Sequence, residues 1–122
     1  MKALIIDDNK DITDPISIYL EGSGIYCKVI NQGKEGLEAI KKGDFDIIIL
    51  DLAMPEYSGY DIFNVLKKEE MVKTKNIVIF TASSLTNEDV NEMLRTGAKA
   101  VLKKPLSIEE LAETIDRFRP AK

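Results

Sequence analysis

The pattern that most limits the fold is the regular return of a short apolar run after each longer stretch of helical periodicity. The runs are "ALIID" (residues 3–7), "YCKVI" (26–30), "DIIIL" (46–50), "NIVIFT" (76–81) and "AVLK" (100–103). The third and fourth are continuously apolar, as strands covered on both faces of a parallel sheet must be. Segments that repeat strand, helix, strand predict an α/β sheet with right-handed crossovers.

The intervening stretches carry helix signals of their own. Ile12, Ile16, Tyr19 and Leu20 lie on one stripe closed by "GSG" (22–24); Leu37 and Ile40 form a second closed by Gly43; Ile62, Phe63 and Leu66 give a third. "TNED" (86–89) and "SIEE" (107–110) each set an N-cap residue three positions before an acid. The first leads into Val90 and Leu94 and stops at Gly97; the second leads into Leu111, Ile115 and Phe118, on the face of Ile108. Pro15 fits either a late helix start capped by Asp14 or a distorted helix beginning near Lys10, and the second is preferred. The expectation is one domain over residues 1–122, with five strands and five helices.

Composition removes whole classes of chemistry. The chain has no histidine and one cysteine, Cys27, which excludes Ser/His/Asp and Cys/His triads, His-based or Cys-rich zinc sites and an internal disulfide. Cys27 reads as a small buried hydrophobe. No uninterrupted apolar run exceeds four residues, against the about 20 a membrane-spanning helix needs, so no membrane insertion is expected. The start lacks the pattern of a secretory signal, and the expected location is cytoplasmic. A net charge of −4, with both signs interspersed, disfavours direct nucleic-acid binding. Most lysine pairs read as solvated helix ends.

The polar residues fall where ligands bind in such sheets. The first run ends in Asp7-Asp8, the third is followed by Asp51, the fourth ends in Thr81, and the fifth meets Lys103-Lys104 before Pro105. All lie at carboxyl ends of strands, the edge where an open parallel sheet binds ligands at the reversal of strand order. Singly, each has an ordinary explanation as a loop cap or strand residue. Together, three converging carboxylates would repel by about 4 kcal/mol per pair at ~4 Å and an effective dielectric near ~20. Protonation at raised pKa would relieve this. So would a hard divalent cation, for which an all-oxygen ligand set suits Mg²⁺. A cation, an ammonium, a hydroxyl and a free carboxylate are the parts that phosphoryl transfer requires, with Asp51 the natural nucleophile.

These residues, from "LIIDDN" through "DIIILDLAMPEYSGYDIF" and "IVIFTA" to "VLKKPLSIEEL", resemble the response-regulator receiver family of two-component signalling along nearly the whole chain. The resemblance implies a flavodoxin-like (βα)5 three-layer sandwich of strand order 2-1-3-4-5. It implies that Asp51 is phosphorylated by a sensor histidine kinase, a phosphotransfer protein or a small acyl phosphate. It makes Asp8, Asp51 and the Ala53 carbonyl direct Mg²⁺ ligands, with Asp7 acting through metal-bound water. Lys104 would pair with the phosphoryl oxygens, before a cis bond to Pro105, and Thr81 would turn in to donate to them. Strand alternation assigns Lys103 to solvent.

One departure concerns Val101, which stands where the family often has an aromatic rotamer switch. Ala53 and Ser83 are small, so little should obstruct water at the phosphoryl site. Output is expected through the helix 4, strand 5, helix 5 face onto an output protein, without an effector domain, the alternative being a receiver excised from a longer protein, and the chain is expected to be a phosphoacceptor rather than an enzyme. A haloacid-dehalogenase-type phosphatase would want an acid at Ala53, and a flavin binder would want a phosphate-cradling loop where "DDNKD" stands.

Overall fold

The computed structural model describes residues 1–82 and 85–120. Five strands, β1 (Lys2–Ile6), β2 (Tyr26–Ile30), β3 (Ile47–Asp51), β4 (Ile77–Thr81) and β5 (Ala100–Lys103), form one parallel sheet in the order β2-β1-β3-β4-β5. The helices are α1 (Lys10–Gly22), α2 (Gly33–Lys42), α3 (Gly59–Lys68), α4 (Asn87–Thr96) and α5 (Ile108–Arg117). This is the flavodoxin-like sandwich that the sequence leads one to expect, with strand boundaries within one residue.

Strand alternation sorts the core into two layers. Leu4, Ile6, Ile48, Leu50, Ile77 and Ile79 face Ile40, Ile62, Phe63, Leu66 and Met93 on the side of α2, α3 and α4. Ala3, Ile5, Ile47, Ile49, Val78 and Phe80 face Ile16, Leu20, Leu111 and Ile115 on the side of α1 and α5. Every residue of β3 and β4 is buried, which explains their unbroken apolar runs.

Helix starts follow the capping residues. Asn9, Ser58, Thr86 and Ser107 each accept a backbone N–H at the start of α1, α3, α4 and α5, with full capping boxes to Asp61 and Asp89. α1 begins at Lys10 and contains Pro15. The proline lies on the exposed face, where water can satisfy the carbonyl it leaves without a partner.

Three details differ from the expected pattern. α4 buries Met93, while Leu94 is 40% exposed; Met93 and not the Val90–Leu94 pair anchors the helix. Ile108 is 51% exposed, lining an open groove between the start of α5 and the Ile12 and Pro15 turn of α1, while Leu111 reaches the core. Cys27 is only half-buried, being on edge strand β2, which has a neighbour on one side. Ser83 lies outside the described residues.

Candidate functional site

The order β2-β1-β3 brings the ends of β1 and β3 side by side, and with them the carboxylates of Asp7, Asp8 and Asp51. One carboxylate oxygen from each lies within 4.8 Å of the others. Asp51 is the last residue of β3, 2% exposed, and Asp7 is fully buried, while Asp8 faces solvent.

Backbone contacts fix this edge. The Asp7 N–H donates to the Ile30 carbonyl at 3.1 Å, and Asn31 Nδ2 donates to the Asp7 carbonyl at 2.8 Å. Asp7 Oδ1 accepts from the Asn9 N–H at 3.0 Å, the local turn that aspartate favours. Asp51 Oδ1 accepts from the Ala53 N–H at 3.2 Å. Gly59 opens α3 against Asp51 itself: a Cβ there would overlap the Asp51 carbonyl oxygen and stand 2.7 Å from Leu52 Cα. Only glycine lets the helix come that close.

Lys104 closes the cluster from the β5 side. Its ammonium is 2.9 Å from Asp7 Oδ2 and 3.3 Å from Asp51 Oδ1, and 4.9 Å from the centre of the Phe80 ring. The Asp7 contact is ionic: among the described residues no donor meets Oδ2 with hydrogen-bond alignment. The Lys104 N–H donates to the Thr81 carbonyl at 2.8 Å, which ties the lysine's loop to β4, and the Lys104–Pro105 peptide is cis. Lys103 is exposed, as alternation requires, while Thr81 is buried at the end of β4 beside Asp51's strand. Val101 is half-buried in the α4-side layer, opposite Ile79.

The model of the response regulator receiver domain matches residues 3–116. The chain belongs to this family. The receiver is 39% identical over 108 residues to the response regulator SaeR of Staphylococcus epidermidis, covering 88% of this chain and 45% of that protein. It thus spans less than half of that relative's length. Among solved structures, the receiver domain of the Francisella response regulator 1452 superposes with a TM-score of 0.84 at 32% identity, over 96% of this chain and 94% of that one. The Thermotoga maritima response regulator TrrA, solved in complex with Mg²⁺-BeF, shares the fold with a TM-score of 0.80 at 24% identity, over 97% of this chain and 98% of that one. The receiver fold and its place in two-component signalling rest on these matches.

The site's electrostatics follow from its burial. Asp51 is pushed up from the ordinary carboxylate value of 3.8 to about 6, first by burial and then by the charge of Asp7, against the Ala53 N–H and Lys104. Burial pushes the Lys104 ammonium down, but Asp7 and Asp51 outweigh it and its pKa rises, so it stays charged. One ammonium for three carboxylates leaves negative charge uncompensated. The donor set fits a hard cation: clustered carboxylate oxygens, no nitrogen or sulfur, and Asp8 open to solvent where ligand waters would sit. Asn31, Gly59 and the ring of Phe80 support the site without a signal in the sequence that singles them out; Asn9 had one, the aspartate two residues before it.

Proposed function

We propose that this receiver is a phosphoacceptor switch in which Asp51 is the nucleophile. The observation that carries this reading is the meeting of Asp51 with Asp7, Asp8 and Lys104 at one sheet edge. Asp51 attacks the phosphorus of a phosphohistidine, on a sensor histidine kinase or phosphotransfer protein, or of a small acyl phosphate. A P–O bond to its carboxylate forms as the donor's P–N or P–O bond breaks, and the donor keeps the electron pair. Asp8, Asp51 and the Ala53 carbonyl would hold Mg²⁺, with Asp7 bound to it through water. Bound there, the cation would neutralise charge on the phosphoryl oxygens. Lys104 lies within reach of Asp51 and pairs with those oxygens from the other side.

Thr81 would complete the switch by donating to the phosphoryl group, which biases the pre-existing equilibrium of the α4, β5, α5 surface that binds the output protein. With Val101 in place of an aromatic ring, this read-out runs through aliphatic packing. The chain acts as a cytoplasmic signalling acceptor and not as a turnover enzyme, and it contacts no nucleic acid itself.

Acetyl phosphate with Mg²⁺ should add one base-labile phosphoryl group, seen by intact mass. The Asp51→Asn variant should gain none. The same adduct on that variant would remove Asp51 from the role.

A further inference from the structure

The α3–β4 and α4–β5 connections, at the end of the sandwich opposite the carboxylate cluster, carry charge of the other sign. Residues 67–76 and 95–99 hold Lys67, Lys68, Lys73, Lys75, Arg95 and Lys99, against the two carboxylates of Glu69 and Glu70. Glu69 is already engaged by Lys41 at 3.0 Å. Among the described residues, none of the six cations has a carboxylate within ion-pair distance.

Lys67, Lys68 and Arg95 sit in the last turns of α3 and α4, where a cation complements the helix dipole. That account does not reach Lys73, Lys75 and Lys99, which lie in the connections. The two connections are locked into one surface. Lys99 Nζ donates to the Lys73 carbonyl at 3.0 Å, and Lys73 lies where a side chain at Gly97 would be, with its Cγ 2.7 Å from the Cβ position.

We propose that this end of the receiver is a peripheral docking surface for an anionic lipid bilayer. Five of the six cations are lysines, point charges that meet a diffuse anionic surface without the planar fork that reads individual phosphates or bases. No aromatic residue lies in either stretch for base stacking. Of the large exposed apolar side chains, Ile18, Tyr26, Tyr60 and Ile108 lie outside both stretches and only Leu94, one residue before Arg95, borders them, which leaves no cluster to anchor a protein interface. The acidic cluster does not cancel the attraction. A five-residue strand is about 17 Å long, twice the Debye length of about 8 Å at physiological ionic strength. Docked this way, the receiver turns its Asp51 edge away from the bilayer, open to a phosphoryl donor.

Co-sedimentation with vesicles tests the proposal. The probes are vesicles of phosphatidylserine in phosphatidylcholine, vesicles of phosphatidylcholine alone, and a duplex DNA at equal phosphate concentration. The full chain should bind the anionic vesicles at low salt, leave the neutral ones in solution, and detach as salt is raised. Each lysine near the surface is worth roughly fivefold in partitioning. Lys67→Gln/Lys68→Gln, two exposed side chains at a helix end, should therefore weaken binding about 25-fold. Lys34→Gln, an exposed lysine at the opposite edge, should change it less than about twofold. Absence of binding at low salt, equal losses in both variants, or tighter binding to the duplex would overturn it.

Discussion

Substituting Asp51 with asparagine should stabilise the metal-free receiver, because the folded protein holds this carboxylate at a cost. Its pKa is raised from 3.8 to about 6 by burial and by Asp7. Below about pH 4 both folded and unfolded chains carry the proton, and the residue adds no penalty. Between about pH 4 and 6 the unfolded chain ionises first, so stability falls as pH rises; above that window both forms are ionised and the full penalty stands. A shift of about two units corresponds to about 3 kcal/mol. Imperfect pairing of the asparagine amide returns about 1 kcal/mol. The expected net gain near neutrality is about 2 kcal/mol, shrinking toward pH 4.

Urea unfolding of both proteins in chelator, from pH 4 to pH 8, measures this directly. The reasoning fails if the variant is no more stable than the wild type at pH 7, or if the gap is the same at pH 4. Mg²⁺ gives a second reading from the same curves. A cation at 100 times its dissociation constant adds about 2.7 kcal/mol to the state that binds it. The wild type should recover the whole of its deficit in Mg²⁺, and the variant, with one ligand gone, should gain much less.

Other substitutions probe separate parts of the site. Asp8→Ala should weaken Mg²⁺ binding in a calorimetric titration more than Asp7→Ala, since Asp8 is exposed and has no side-chain partner among the described residues, while Asp7 is held by Lys104 and Asn9; equal or reversed losses would refute that division. Gly59→Ala forces a Cβ against the Asp51 carbonyl and should cost about 2 kcal/mol or more in urea unfolding, as overpacking does. It should also slow phosphorylation by acetyl phosphate, and a neutral result would mean α3 can retreat freely. Glu56 holds a left-handed backbone, φ 67, between Pro55 and Tyr57, whose carbonyl and N–H close a tight turn at 2.7 Å. Glu56→Gly should stabilise by about 0.5–1 kcal/mol, the strain relieved less the entropy glycine loses on folding.

The sequence made the sheet legible because β3 and β4 are buried on both faces and could not have been written with polar residues. It was less informative for α4, where Val90, Met93 and Leu94 are all apolar and helical periodicity alone did not say which would face the sheet. The structure chose Met93. The same limit applies to Ile108, which continues the stripe of Leu111 and Ile115 in sequence but lines an open groove in space. Periodicity reports which residues share a face, not where the neighbouring layer ends.

The candidate site divides along a similar line. That Asp7, Asp8, Asp51, Thr81 and Lys104 stand at strand ends follows from the runs themselves. Their convergence needs β1 beside β3, and no residue encodes that neighbour relation locally; the family resemblance supplied it, and the observed strand order confirms it. Once the order is given, alternation turns Lys103 to solvent, and the backbone bond to Thr81 holds the next residue, Lys104, where its ammonium is 2.9 and 3.3 Å from Asp7 and Asp51. What stayed invisible were contacts made to backbone carbonyls: the Asn31 side-chain amide donating to that of Asp7, and the missing Cβ of Gly59 over that of Asp51. Such contacts hold the carboxylates where their repulsion would otherwise spread them. The charge is therefore concentrated by the fold and not by the side chains, and Asp51 responds to both its burial, first, and the charge of Asp7, second, with a raised pKa.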